Sequence, residues 1–365
     1  MNEKEYTTAY QELTAMLRDF NLGWVAEQVA DTVRTGKTIE ERTSKRKTPL
    51  LKIEDYTPEE QLRLLTKAVE QAVIDTAEME DEIAYFLKIE AEKSQFTPKI
   101  TFADSDEVGK EIEFTSELIS PRNKQAVALK KIFNQLLSRT TDSREISPLI
   151  QQIGFKLNGA IDRNFNAYVE QSNIFNIYLF TILLKAIANE EGEIYYKDVF
   201  DGNPNSLVFR KNPGKIHGTV HPYTHAAIEF PNKPPLEVHI GVKVQGRAGV
   251  LHECNLLVLY QKEGDLCRLL NREPRHSQVI IAIKSQYYTS PLKLDIAGSF
   301  IGLASDIRYE GGSYFISNSS SDSVAKLLTT ARKKWELNIV PGGTNDVNRL
   351  MYSLQTIFKD FKARH

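Results

Sequence analysis

Apolar residues recur at two periods along this chain, and the change of period divides it. From residue 3 to about 35, Tyr6, Tyr10, Leu13, Met16, Leu17, Phe20, Leu22, Val25, Val29 and Val33 fall three or four apart, as on one face of a helix. Asn21-Leu22-Gly23 breaks that run into two helices. Thr57-Pro58-Glu59-Glu60 is a helix start, with Thr as N-cap, Pro in the first turn and acids after it. The helix it opens runs to about Ile89, with a second expected to follow. Over 92–118, Phe96, Ile100, Phe102, Ile112 and Phe114 lose helical spacing, which reads as a linker carrying a β-hairpin around 104–109. Helical patterns return over 121–139 and 149–188. The second is opened by Ser147-Pro148 and is expected to break near Asn173.

After Gly192 the period falls to two. Strands are expected at 193–196, 206–210, 225–230 and 236–244. In the last, Leu236, Val238, Ile240, Val242 and Val244 share one face, and Glu237, His239, Gly241, Lys243 and Gln245 the other. Two apolar runs, 249–260 and 279–283, read as buried strands around a polar insert. A strand at 314–317, a helix at 323–334 capped by 318–322, a strand at 337–340 and a helix at 346–363 complete the chain. The order implies a mixed α/β fold: an N-terminal α-helical region, then a sheet flanked by helices. We divide it into an association region at 1–91, a linker at 92–120 and an α/β domain with leading helices at 121–365.

Composition narrows the function classes. A length of 365 residues suits two domains, and 41% hydrophobic with 26% charged residues gives enough apolar material for a sizeable core. The net charge of -2 removes any whole-molecule basic field, so contact with nucleic acid needs a local patch. Cys254 and Cys267 lack CxxC spacing and read as reduced thiols of a cytoplasmic protein, with no structural zinc. No apolar run has the length of a membrane span, and no secretory leader is read at the N-terminus.

The two apolar strands carry polar tips, His252-Glu253-Cys254-Asn255 and Lys284-Ser285-Gln286. Together with the flanking helices, this strand–turn–strand pattern resembles the restriction-endonuclease-like, or PD-(D/E)xK, superfamily over about half the chain. The resemblance implies a Glu from a helix, an Asp from one strand end and Glu-x-Lys from the next. These hold Mg²⁺ in an oxygen shell while the lysine activates water. On that alignment Asn176 stands for the helix Glu, Asn255 for Asp, Lys284 for Glu and Gln286 for Lys. An ammonium at the metal position repels Mg²⁺ by about 4 kcal/mol or more at an effective dielectric near 20. The resemblance therefore implies a degenerate, non-catalytic member with no cofactor: a nucleic-acid-binding or assembly subunit of a prokaryotic defence or mobile-element system. Arg247, Lys284 and Lys243 would contact nucleic acid, and the N-terminal helices a protein partner or a second copy.

Two alternatives stay open. One is an active Mg²⁺-dependent nuclease with a migrated site built from Glu237, Glu253 and Lys284. The other is an interaction module that touches no nucleic acid. Against the migrated site stands a buried hydrogen-bonded network joining Glu237, His239 and Glu253 to Lys284 and Arg247. Among the remaining motifs, residues 245–249 read as a hairpin turn and Gly36-Lys37-Thr38 as a chance fragment of a phosphate loop. His217, His221 and His225 are spaced by four, but Gly218 and Pro222 argue against a helical ligand ladder.

Overall fold

In a computed structural model, the protein is described over residues 3–20, 22–35, 56–94, 96–97, 99–103, 111–113, 121–136, 138, 143–160, 167–217, 221–307 and 311–365. The phosphate-loop fragment at 36–38 and the hairpin tip at 104–109 lie outside these residues.

The N-terminal pattern folds as spaced. Helices α1 (Glu3–Asp19) and α2 (Gly23–Thr35) are separate, the second starting at Gly23, and Leu13, Leu17, Leu22 and Val25 are fully buried. Helix α3 (Pro58–Ser94) begins at a capping box. Glu60 N–H donates to Thr57 Oγ1 at 3.3 Å, and Thr57 N–H donates to Glu60 Oε2 at 2.8 Å. It is one helix of 37 residues, not two, about 55 Å long at 1.5 Å per residue.

Strands β1 (Lys99–Ala103) and β2 (Glu111–Glu113) pair antiparallel, and β1 also pairs parallel with β4 (Leu207–Arg210). Residues 92–120 thus supply two strands of a three-stranded sheet. Helices α4 (Pro121–Leu136) and α5 (Ser143–Ala160) follow; α5 starts before Ser147 and carries Pro148 inside it.

Helix α6 (Ala167–Asn189) passes through Asn173 without a break. It is apolar on almost every side because it is covered on every side: by α3, by the C-terminal helix and by the central sheet. That sheet has seven strands in the order β10-β9-β8-β7-β6-β5-β3. Strands β3 (Glu193–Asp198), β5 (Thr224–Glu229), β6 (Leu236–Gln245), β7 (Leu251–Tyr260) and β8 (Val279–Gln286) run antiparallel to their neighbours. β9 (Gly312–Ser317) and β10 (Lys334–Glu336) continue parallel to β8. The connections are α8 (Leu294–Asp306) and α9 (Asp322–Thr330), the latter capped by Ser321, whose Oγ accepts from Val324 N–H. The polar insert is helix α7 (Gln261–Leu270), and α10 (Thr344–Arg364) ends the chain. The last strand lies at Lys334–Glu336, not at 337–340.

One face of the sheet packs on α6 and α10 in a core that continues without interruption through α3, α2 and α1. The other face packs on α7, α8 and α9. The apolar stripes of α1 and α2 are used inside the molecule.

Candidate functional site

The strand tips named by the resemblance lie where β7 and β8 meet α6. Along β8, Ile281 and Ile283 face α6, whereas Ala282 faces the α8 side. A strand alternates, so Ser285 belongs with the first pair, and Lys284 and Gln286 with the second. The hydrogen bonds agree: Ser285 Oγ donates to Asn176 Oδ1 at 2.5 Å. Lys284 instead stands near the buried Cys254 thiol on the opposite face, opposing the burial that pushes that thiol up to about 12. The alignment of Lys284 and Gln286 with the nuclease acid and lysine is therefore corrected. The residues sharing a face with Asn176 are Ser285 and, two positions on, Tyr287, and Lys284 is not among them.

Asn255 joins this group through an irregularity. Leu256 and Val258 face α6, yet Cys254 faces the other way with Val242 and Val244. The alternation of β6 flips at the same level, between Ile240 and Val242, where Gly241 takes φ +64°. The expected single face of Leu236 through Val244 is thus two faces joined at a glycine that tolerates a left-handed backbone. At this kink Asn255 Oδ1 accepts from Ser285 N–H at 3.1 Å. It takes a strand donor just beyond the last ladder pair, Leu256 opposite Ile283. Asn176, Ser285 and Asn255 are thus linked as neutral groups, Ser285 donating its hydroxyl to one amide oxygen and its backbone N–H to the other.

A buried acid also stands close to this tip, one that the sequence pattern does not single out. Asp75, on α3, faces Tyr287 and the Asn318 side chain. Burial raises its carboxyl to about 7, Gln71 and Asn318 oppose the rise, and Glu78 and Glu70 add to it. A single half-ionised carboxyl among amides and hydroxyls does not match the several hard anionic oxygens that Mg²⁺ takes. Among the described residues, no group of three or more His, Cys, Asp or Glu is arranged to hold a metal ion.

The migrated site does not assemble. Glu237 lies opposite Leu259, and Glu253 opposite Lys243, so the two acids are six positions apart along paired strands, about 20 Å. Glu253 is half-exposed and pairs with Lys243 at 3.4 Å. Glu237 is fully buried beneath α7. It accepts from Arg268 at 2.6 and 3.1 Å and from His239 Nε2 at 2.8 Å, with His225 Nε2 at 3.6 Å. The rings of His225 and His239 stack at 4.8 Å. Burial pushes Glu237 up, but its His239, His225 and Arg268 partners outweigh this and hold it at about 2. Burial likewise holds His225 down at about 3, against the pull of Glu237. Gly264 lets α7 approach, since a Cβ there would overlap the Glu237 carboxylate. Next to it, buried Glu263 binds Arg272 at 2.7 Å and Arg275 at 3.0 Å. The expected network of Glu237 and His239 exists, but its cation is Arg268, not Lys284 or Arg247.

Arg247 is exposed in the β6–β7 turn, which is held by Asp306: its Oδ1 accepts from Ala248 N–H at 2.8 Å, and its Oδ2 lies 2.7 Å from His252 Nε2. The hairpin reading of 245–249 holds, with Gly249 at φ +80°. His217, His221 and His225 do not converge: His225 is on β5, and His217 Nδ1 lies 3.2 Å from Arg272 O.

No protein-family model, no curated protein and no solved structure matches this chain.

Proposed function

We propose that this protein is a non-catalytic subunit that binds nucleic acid on a nuclease-like frame, within a defence or mobile-element assembly. The observation that supports the non-catalytic part is the neutral, hydrogen-bonded Asn176–Ser285–Asn255 set at the tips of β7 and β8. The order α6, antiparallel β6–β7–β8, α8 and parallel β9 supports this reading, since it puts the ends of β7 and β8 beside a helix, as the resemblance to metal-dependent nucleases implies. Among the described residues, the tips offer two amides and a hydroxyl with the raised carboxyl of Asp75 beside them, a poor match for the several anionic oxygens a divalent ion takes.

Binding falls to basic groups along the same end of the sheet. Arg247 is exposed, Lys284 is half-buried, and Lys243 is shared with Glu253. With a net charge of -2, such a patch gives weak, salt-sensitive contact.

Retardation of double- and single-stranded DNA and of RNA across a salt series tests this. Binding should weaken with salt, and Arg247→Ala or Lys284→Ala should each lower the slope of log K against log salt by about one. If nothing is retarded even at low salt, the protein is an interaction module that touches no nucleic acid.

A further inference from the structure

Beyond the tips of β8, β9 and β10 lies a cleft of about 530 Å³, closed on its far side by α2, α3 and α4. It opens past the carboxyl ends of three parallel strands, where open α/β sheets commonly hold ligands. Val29, Leu64, Ile74 and Val340 supply apolar wall.

Two buried polar atoms at this cleft make no hydrogen bond to the described residues. Ser290, only 7% exposed, carries an unbonded Oγ, and one oxygen of Asp75, Oδ2, is buried and unbonded. A buried polar atom without a partner is rare because its desolvation costs free energy. Two in one cleft, on elements far apart in sequence, point to groups shaped for something that binds there. On the solvent side stand Lys67, which is exposed, and Lys130, whose Nζ is 3.7 Å from Glu70 Oε1.

We propose that the cleft receives a nucleobase, with an N–H of the base edge donating to Asp75 Oδ2, Ser290 Oγ completing the edge, and the attached phosphate lying toward Lys67 and Lys130. Apolar walls suit the faces of a flat ring, a carboxylate oxygen suits a ring N–H, and ammonium groups at the mouth suit a phosphate. The occupant is either a free nucleotide or one unstacked base of a strand. The inference rests on the nucleic-acid reading above for its ligand class and deepens it.

Asp75 is the stronger acceptor when ionised, because the bond is then charge-assisted. The charged or titratable groups around it are Glu70 and Glu78 on its own helix, Tyr178 on α6 and Tyr287 after β8, with Lys130 on α4 across the cleft. Binding should therefore tighten as pH rises through neutrality and level off above it.

The test is calorimetric titration of the full chain with GMP, with guanosine and with a short single-stranded RNA ending in guanosine. GMP or the RNA should bind, and Asp75→Asn should weaken whichever binds roughly tenfold or more, the effect of losing one charge-assisted hydrogen bond. Ser290→Ala should weaken it less. Lys67→Ala should weaken GMP while leaving guanosine unchanged. Binding of the RNA but not of GMP would assign the cleft to a strand's base. The inference is overturned if neither GMP nor the RNA binds at millimolar concentration, if binding is indifferent to Asp75→Asn in a protein whose melting temperature is kept, or if cadaverine displaces GMP, which would make the occupant a simple cation. Retardation of long DNA that persists in Asp75→Asn while GMP fails would overturn the base site and leave the reading of the whole protein standing.

Discussion

The side chains at the tips of β7 and β8 are tuned for mutual satisfaction. Ser285→Ala removes the donor to Asn176 Oδ1 and leaves a buried amide oxygen unpaired, so urea denaturation should show a loss of about 1–3 kcal/mol. The buried charges set the response to pH. Glu237 and Glu263, held at about 2 against an ordinary value of 4.5, are protonated first in the unfolded chain. Their contribution is complete above about pH 4.5 and is lost as pH falls toward 2. His225, held at about 3 against 6.5, acts in the same sense and begins the decline nearer pH 6. Asp75 acts oppositely. Raised to about 7 from 3.8, it is protonated first in the folded state, so its contribution is complete below about pH 4 and is lost as pH rises through 7. A pH series of thermal melts should therefore fall on both sides of a plateau. Asp75→Asn should flatten the alkaline side, and Glu237→Gln should lower stability at neutral pH by about 1–3 kcal/mol, since Arg268 loses its buried anion and keeps only the exposed Asp265.

Elements defined by local chemistry were legible in the sequence, whereas those defined by tertiary contact were not. The capping box at Thr57–Glu60 is a four-residue signal, and it marks the start of α3. Helix α7 escaped notice because Gln261–Leu270 lies among polar residues and is fixed by pairs that its sequence does not announce, Glu237 with Arg268 and Glu263 with Arg272. The supposed break at Asn173 arose because α6, covered on all sides, shows no polar face from which to read its period. Two features hide the geometry of the candidate site from the sequence: which face of β8 meets α6 is set by tertiary packing, and the alternation of β6 and β7 flips at Gly241 and Asn255. Gly241→Val tests the kink. It forces a β-branched residue into the left-handed region with Arg210 Cβ 3.3 Å away, and should cost about 1–3 kcal/mol or more in denaturant.

At the scale of the molecule, the helical region at 1–91 and the α/β part share one core. Leu13 and Leu17 of α1, Leu62 and Leu65 of α3, Tyr178 of α6 and Phe358 of α10 belong to a single buried cluster. A fragment of residues 121–365 would bare the side of α6 that α3 covers, so it should lack a cooperative melt and bind a hydrophobic dye, whereas the full chain should unfold in one transition. The same packing brings Asp75 from α3 to the strand tips, so the candidate cleft exists only in the full chain. The central claim concerns what those tips can do with a metal. Its most direct measurement is incubation of the purified full-length protein with plasmid, single-stranded DNA and RNA across Mg²⁺ and Mn²⁺ series. The account predicts intact nucleic acid at every metal concentration; cleavage that disappears in Asn176→Ala or Asp75→Ala would contradict it.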